Sequence, residues 1–165
     1  ITEAVTLGVV DYLDSEGIES SVKWPNDIYV RNRKICGMLI ENTLKGDFVS
    51  TSVIGIGLNV NQKDFPPQLV NPVSMTILTG KEYALRRELE KLCECVRKRM
   101  AAPDNYDEYV SRLFRFGVFN EYVICATGQP IKARIIGVTD SGLLRTETEK
   151  GERMEFAFKE ISYVI

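Results

Sequence analysis

The chain has 165 residues, 44% of them apolar, and a formal net charge of -2, so it is long enough to fold around a hydrophobic core and lacks the strong positive charge that drives nonspecific binding to nucleic acids. It contains no histidine, which excludes Ser-His-Asp and Cys-His catalysis and most zinc hydrolase sites. It has neither a signal peptide nor an apolar run near the roughly 20 residues that span a bilayer, so we expect no membrane contact and a cytoplasmic location.

The first half of the chain predicts one helix followed by a series of strands. Apolar residues recur at helical spacing from Thr2 to Leu13, and the predicted helix ends near Gly17. No capping residue precedes this helix, so we expect the sequence to begin inside or at a helix, as a fragment would. The strands that follow are expected at residues 20–24, 28–30, 34–41 and 48–60, with turns at 25–27, 31–33 and 45–47.

The second half of the chain predicts helices and then a set of short strands. After a proline-containing loop and a short element at residues 74–76, one face of a predicted amphipathic helix carries Leu85, Leu89, Leu92, Val96 and Met100. Asp104 is a candidate cap of a further helix. Five short strands between residues 122 and 165 predict a small SH3-like barrel. We therefore expect two domains, residues 1–116 and residues 117–165.

One segment places a cation, an amide and a carboxylate at a single turn after a strand, namely Lys23-Trp24-Pro25-Asn26-Asp27. Pro25 fixes its own φ and keeps Trp24 out of a helical conformation, so the neighbouring side chains are held in set directions. An ordinary turn, in which Asn26 and Asp27 bond their own backbone, explains the same residues equally well. The segment alone does not decide between a structural turn and a site.

Three blocks of sequence, taken in order, resemble the motif series of biotin protein ligases. They are Lys23-Trp24-Pro25-Asn26-Asp27-Ile28-Tyr29, Lys34-Ile35-Cys36-Gly37-Met38-Leu39-Ile40-Glu41 and Gly55-Ile56-Gly57-Leu58-Asn59-Val60-Asn61. The resemblance extends over nearly the whole chain, since the predicted helices and the terminal barrel also fit that family. It implies an α/β fold with a mixed β-sheet and packed helices, as in class II synthetases, truncated at its N-terminus and followed by the SH3-like barrel.

The resemblance also implies roles for the polar residues of these blocks. Lys23 would be the catalytic lysine between the biotin carboxylate and the ATP phosphates, where it offsets charge as one anion attacks another. Asn26, Asp27 and Asn59 would bind ATP, with Asp27 as an oxygen ligand of Mg²⁺. Lys34 would bind the carboxylate of biotin. Without the resemblance, a solvated lysine that protects a strand edge is the usual interpretation of Lys34.

Glycines and apolar residues of the second and third blocks are the implied biotin contacts. Gly37, Met38 and Leu39 would form a wall of the site. Gly55 and Gly57 would bare a strand for the ring system of biotin, because glycine in a strand often marks the close approach of a ligand. Core packing with turn-favouring glycines is the alternative. A dinucleotide fingerprint is excluded, since the third glycine and the following helix are absent.

The implied activity is that of a biotin–protein ligase. Biotin and ATP, with Mg²⁺, would form biotinyl-5′-AMP, and the biotinyl group would pass to a lysine of a biotin carboxyl carrier protein of acetyl-CoA carboxylase or another biotin-dependent carboxylase. A lipoate or octanoate ligase-like enzyme is the nearest alternative. A non-catalytic fragment that binds a ligand or a carrier is an alternative from a different class.

Two features of the family are not found in the sequence. No Arg-Gly-Arg stretch like the loop that clamps the adenylate occurs, and Arg31-Asn32-Arg33 is not that loop. There is no room for an N-terminal winged-helix domain, so no nucleic-acid partner is expected for this chain. We expect weak or absent biotin transfer by the isolated chain. An exposed sheet edge or the barrel is the expected surface for a carrier domain or for a second copy in a homodimer.

Overall fold

The computed structural model describes residues 1–46, 48–102 and 104–165, and the chain divides into two compact units, Ile1–Asn105 and Tyr106–Ile165. The domain boundary expected between residues 116 and 117 stays a prediction. The turn predicted at residues 45–47 includes Asp47, which lies outside the described residues. The elements of the first unit are α1 (Thr2–Ser15), β1 (Ser21–Lys23), β2 (Asp27–Val30), β3 (Arg33–Lys45), β4 (Phe48–Leu58), α2 (Met75–Thr79) and α3 (Leu85–Ala101).

Helix α1 is apolar on nearly all sides and packs closely against α3. A Cβ atom added to Gly8 would lie 2.7 Å from the Cα of Val96, so glycine permits this approach of the two helices. Arg99 on α3 donates from Nε and Nη2 to the two carboxylate oxygens of Asp11 on α1, over 2.5 and 2.7 Å. This two-point contact fixes how α3 lies along α1. The buried residues of α1 are Ala4, Val5, Thr6, Leu7, Gly8, Val9, Val10, Tyr12 and Leu13.

Helix α3 buries less of its apolar face than the sequence pattern predicts. Leu85 and Leu89 are each 60% exposed. The helix instead buries Glu88, whose carboxylate accepts hydrogen bonds from the Tyr12 hydroxyl (2.9 Å) and from the Lys91 ammonium (3.0 Å). Because the buried carboxylate is hydrogen-bonded and paired with a cation, its desolvation is compensated. Within the described ranges, no helix combines the length and the apolar character needed to cross a membrane.

The sheet of the first unit has the order β1-β2-β3-β4, and every neighbouring pair is antiparallel. This differs from the mixed sheet expected from the sequence. Short turns join consecutive strands here, and short turns allow only antiparallel pairing, because parallel strands need a long crossover. Lys34 of β3 also forms an isolated parallel bridge with Pro72, a residue outside the named strands.

The second unit consists of one short helix and an antiparallel five-stranded sheet in the order β8-β7-β6-β5-β9. The five strands predicted from the sequence are confirmed, with shifts of a few residues at their ends. Their core holds Tyr122, Ile135 and Leu144, each with no exposed surface. The elements are α4 (Tyr106–Ser111), β5 (Asn120–Ile124), β6 (Gln129–Val138), β7 (Leu144–Thr148), β8 (Arg153–Phe156) and β9 (Ile161–Tyr163).

Candidate functional site

One face of the first sheet collects most of the residues selected from the sequence. Lys23 on β1 pairs with Asp27 on β2, Asp27 pairs with Gly37 on β3, and Gly37 pairs with Gly57 on β4. Residues directly opposite each other in an antiparallel sheet share a face, so these four form a row across the sheet. Along β3 and β4, the next pair on this face is Leu39 with Gly55. We call the face with these six residues the glycine-floored face.

A β-bulge brings Lys34 onto the same face. Lys34 and Gly37 are three residues apart, and in a regular strand an odd separation puts two side chains on opposite faces. In this sheet Ile28 pairs with Cys36 and Tyr29 pairs with Lys34, which leaves Ile35 as an extra residue in β3. The extra residue turns the Lys34 side chain towards Gly37 and Asp27. The sequence pattern carried no sign of this bulge.

Lys34 and Asp27 form an ion pair above Gly37. The Nζ atom of Lys34 lies 2.7 Å from Oδ1 of Asp27, and the two side chains are 40% and 24% exposed. A Cβ atom on Gly37 would lie 3.0 Å from the Nζ of Lys34 and 3.3 Å from Oδ1 of Asp27. Glycine at this position therefore gives the ion pair the space in which it lies.

Lys23 lies at the other side of Asp27, beside an aromatic ring. Its Nζ atom is 5.0 Å from the ring centroid of Tyr29, which is a cation–π distance. Burial, and to a smaller extent the negative charge of the Asp27 carboxylate, raises the pKa of Tyr29, so the phenol stays neutral. Sequence reasoning did not select Tyr29. Its position two residues after Asp27 on β2 is the pattern that would have placed it on this face.

Asn26 and Met38 are joined by two hydrogen bonds and serve the frame of the site. The Asn26 side-chain amide donates to the Met38 carbonyl over 2.5 Å, and the Met38 backbone N–H donates to the Asn26 carbonyl over 2.9 Å. Met38 is 5% exposed and pairs with Ile56, so its side chain lies on the opposite face of the sheet. Of the predicted wall of the site, Gly37 and Leu39 share the glycine-floored face and Met38 does not.

Asn59 lies beyond the end of β4 and ties three segments together. Its side-chain amide donates to the Val73 carbonyl over 3.0 Å, and its backbone N–H donates to the Ile35 carbonyl over 2.9 Å. The Asn59 carbonyl accepts from the Met75 backbone N–H at the start of α2, over 3.0 Å. Asn59 thus holds the bulge of β3 next to α2. Its assignment to ATP stays a prediction.

Asn61 also links separate segments of the chain. It belongs to the third block but was not selected from the sequence as a site residue. Its amide group donates to the Tyr83 carbonyl over 2.8 Å, and its Oδ1 atom accepts from the Tyr83 backbone N–H over 3.0 Å. The same Oδ1 accepts from the Thr76 hydroxyl over 3.1 Å. The second asparagine of the third block therefore holds the chain after β4 in one conformation.

A cavity of about 600 Å³ is lined in part by Ser21 and Tyr29, at the end of the β1–β2 pair away from Lys23 and Asp27. Its volume is in the range of small-molecule pockets in proteins. The other residues that line it come from the turn after α1, from the end of β2 and from α2, and include Ile18, Arg31 and Thr79. Because three separate segments form this cavity, no local sequence motif predicts it.

The site offers one protein carboxylate to a cation and no thiol nucleophile. Burial raises the pKa of the Cys36 thiol to about 12, so Cys36 is a neutral core residue. Within the part of the chain that the structure describes, no group of three or more His, Cys, Asp or Glu side chains could hold a metal ion. Mg²⁺ often binds through one or two carboxylates together with substrate phosphates, and Asp27 fits that pattern.

Comparison with known proteins gives matches over both units. Residues 3–59, a range that includes all four strands of the first sheet, match the family model described as "Biotin/lipoate A/B protein ligase family". The chain is 29% identical over 165 residues to the bifunctional ligase/repressor BirA of Bacillus spizizenii, an alignment that covers 92% of this chain and 49% of that protein. It is 30% identical over 151 residues to BirA of Bacillus subtilis, covering 84% of this chain and 45% of that protein. The chain thus spans about half the length of these curated relatives.

Solved structures resemble the fold over nearly the whole chain. The apo structure of biotin protein ligase from Aquifex aeolicus matches with a TM-score of 0.79 and 25% identity, covering 99% of this chain and 74% of that one. The complex of the Aquifex aeolicus enzyme with biotin and ATP matches with a TM-score of 0.73 and 22% identity, covering 98% of this chain and 71% of that one. At that identity the second match supports the fold alone.

Proposed function

This chain is a member of the biotin protein ligase family, and from that premise we propose that the protein joins biotin to ATP and transfers the biotinyl group to a carrier lysine. A biotin carboxyl carrier protein is the proposed acceptor. The expected homodimer and the cytoplasmic location stay predictions.

The observation that carries the proposal is the composition of the glycine-floored face. Gly37, Gly55 and Gly57 leave backbone where side chains would otherwise stand, so a flat ring system can lie against the strands. Lys34 stands at the edge of this floor with its ammonium group on the same side, 2.7 Å from Oδ1 of Asp27. A bicyclic ring attached to a carboxylate chain has the two chemical parts that this surface accepts.

The first proposed step is the attack of a biotin carboxylate oxygen on the α-phosphorus of ATP. A new bond forms between the carboxylate oxygen and the α-phosphorus. The bond from the α-phosphorus to the oxygen that bridges it to the β-phosphate breaks, and pyrophosphate leaves with the electron pair. Lys34 orients the carboxylate, and Lys23 offsets the negative charge that gathers between carboxylate and phosphate. Mg²⁺, held by Asp27 and phosphate oxygens, would supply further positive charge there.

The second proposed step is aminolysis of the mixed anhydride. The ε-amine of the carrier lysine attacks the acyl carbon, AMP leaves as the good leaving group, and the amine loses a proton. No covalent bond between enzyme and biotin is needed, which agrees with the neutral core thiol of Cys36 and with a sequence that contains no histidine.

We further propose that residues 1–116 correspond to a catalytic domain of class II synthetase type and residues 117–165 to an SH3-like barrel. The strand order β8-β7-β6-β5-β9 in one antiparallel sheet supports the barrel. The match to the apo Aquifex aeolicus ligase covers 99% of this chain, which supports the presence of both regions in one ligase fold.

Calorimetry on the full-length protein tests the proposed ligand. We expect binding of biotin, and a loss on the order of 1 to 3 kcal/mol of biotin binding free energy in Lys34→Ala, the range for a hydrogen bond to a charged group. Lys45→Ala, at the exposed far end of the same strand, is the matched control and should leave the affinity unchanged.

Two results would contradict the assignment. Binding of lipoate without binding of biotin would indicate a lipoate ligase instead. The family description names lipoate as well as biotin. Unchanged biotin affinity and unchanged transfer to a carrier domain in Lys34→Ala would show that Lys34 does not bind the carboxylate.

A further inference from the structure

The ion pair above Gly37 joins two residues to which the proposed function gives different ligands. Lys34 is assigned to the carboxylate of biotin, and Asp27 to the cation that accompanies ATP. In the structure the Nζ atom of Lys34 lies 2.7 Å from Oδ1 of Asp27. The group that holds Lys34 is therefore itself a carboxylate, the same chemical group as the part of biotin that Lys34 would bind.

We propose that Asp27 is an internal competitor for Lys34, and that this competition couples the two substrates. When a ligand carboxylate takes Lys34, Asp27 is released and becomes available to the cation of the nucleotide. When the cation takes Asp27, Lys34 is released and becomes available to the ligand. The inference rests on the proposed function and adds a mechanism by which each substrate favours the binding of the other.

The exposure of the pair makes the exchange easy. The Lys34 side chain is 40% exposed and the Asp27 side chain 24% exposed, and ion pairs that reach solvent contribute little to stability. A ligand carboxylate can therefore replace Asp27 as the partner of Lys34 without a large loss. A deeply buried pair would resist this exchange, because breaking it would leave two desolvated charges.

The surroundings provide for both arrangements. Gly37 has no Cβ atom, and a Cβ there would lie 3.0 Å from the Cε and Nζ atoms of Lys34, so its absence gives the lysine side chain room to move. Lys23 is the cross-strand partner of Asp27 in the register, so Asp27 keeps a cation nearby after Lys34 turns to the ligand. The bulge at Ile35 holds Lys34 on this face in either arrangement.

Coupling of this kind is reciprocal and limited in size. If the nucleotide raises the affinity for biotin by some factor, biotin raises the affinity for the nucleotide by the same factor. The free energy of coupling cannot exceed the free energy of the ion-pair contact that is exchanged. For a partly exposed ion pair we expect a factor of about two to five.

The test is calorimetric titration of biotin into the full-length protein and its Asp27→Asn variant, first without Mg²⁺ and nucleotide. Asn keeps the size of Asp27 and removes its charge, so Lys34 loses its competitor. We expect the variant to bind biotin about two- to fivefold more tightly than the unchanged protein. Asp27→Ser, which removes the same charge with a smaller side chain, should change the affinity in the same direction and replaces Asp27→Asn if that variant does not fold.

A second titration measures the coupling itself. With MgCl₂ and α,β-methylene-ATP present, the unchanged protein should bind biotin about two- to fivefold more tightly than without them. In Asp27→Asn this gain should disappear. In a Lys34→Ala background, Asp27→Asn should no longer alter biotin affinity. Asp140→Asn, an exposed residue of the second unit, is the control for a change of net charge.

The possible outcomes separate the inference from the proposed function. Equal or weaker binding of biotin by Asp27→Asn and Asp27→Ser, with normal binding by the unchanged protein, overturns the competition and leaves the ligase assignment standing. A gain from Mg²⁺ and nucleotide that persists in Asp27→Asn also overturns it. Absence of biotin binding by the unchanged protein overturns the proposed function and the inference with it.

Discussion

Glu147 on β7 is held between two arginine side chains of the second unit. Its Oε1 atom accepts from Nη2 of Arg134 over 2.5 Å, and its Oε2 atom accepts from Nε of Arg153 over 3.3 Å. The Arg134 contact first, and the Arg153 contact next, hold the pKa of Glu147 below its ordinary value of 4.5. The folded protein therefore binds this proton less readily than the unfolded chain.

The pH dependence of Glu147→Gln follows from this direction. The stability that the carboxylate contributes is fully present above the unfolded pKa and is lost as the pH falls through the lowered folded pKa. We expect the variant to be less stable than the unchanged protein near neutral pH, and the difference to shrink as the pH falls below about 4.5. Urea unfolding at a series of pH values measures it. Glu152→Gln, on an exposed turn, is the control, and a difference that stays constant with pH would contradict the prediction.

Lys34 could be selected from the sequence, but the face of the sheet on which it lies could not be predicted. Lys23, Asp27, Lys34 and the glycines were selected because the three blocks that contain them resemble biotin protein ligases, and their roles in the site stay predictions. The face on which Lys34 lies depends on the extra residue Ile35 in β3, and Ile35 has no feature that distinguishes it from other buried strand residues.

At the scale of elements, the contact between α1 and α3 depends on Gly8. In Gly8→Ala the new Cβ atom would meet the Cα of Val96 at 2.7 Å and its backbone N at 3.0 Å. Alanine favours a helix by up to about 1 kcal/mol over glycine, but the overlap with backbone atoms forces the helices apart. We expect a net loss of about 1 to 2 kcal/mol in the free energy of unfolding.

Two comparisons make the Gly8 prediction specific. Val96→Ala should not fully rescue Gly8→Ala, because it removes the Cγ2 methyl that the new Cβ would meet at 2.9 Å but leaves the Cα of residue 96 at 2.7 Å. Cys93→Ala, on the exposed side of α3, controls for a general effect of alanine in these helices. A Gly8→Ala variant more stable than the unchanged protein, in chemical denaturation, would refute the close contact.

Most elements could be predicted from the sequence, and the limits have a physical reason. Strands joined by glycine and proline turns, and α1 with its apolar spacing, are encoded by neighbouring residues. Helix α3 was also predicted, but the burial of its face was not. Leu85 and Leu89 remain exposed while Glu88 is buried, because the partner surface offers the hydroxyl of Tyr12. The sequence of α3 alone does not show which groups the helix packed against it will present.

At the scale of the whole molecule, the two units have separate cores. Leu144 is fully buried in the second unit, and Val22 is fully buried in the first. We expect Leu144→Ala to cost about 2 to 5 kcal/mol and to lower hydrogen-exchange protection in residues 106–165 while residues 1–105 keep theirs. Val22→Ala should give the reverse pattern. Loss of protection in both units from either substitution would mean that the chain unfolds as one cooperative body.

The glycine floor also restricts how the site can vary over generations. Every substitution at Gly37, Gly55 or Gly57 adds atoms to the surface, since no residue is smaller than glycine. A single mutation there can narrow the space for a ligand but cannot widen it. With glycine at all three positions, the surface already leaves the most space for a ligand that these positions allow. Mutation at any of them can only favour smaller ligands or abolish binding.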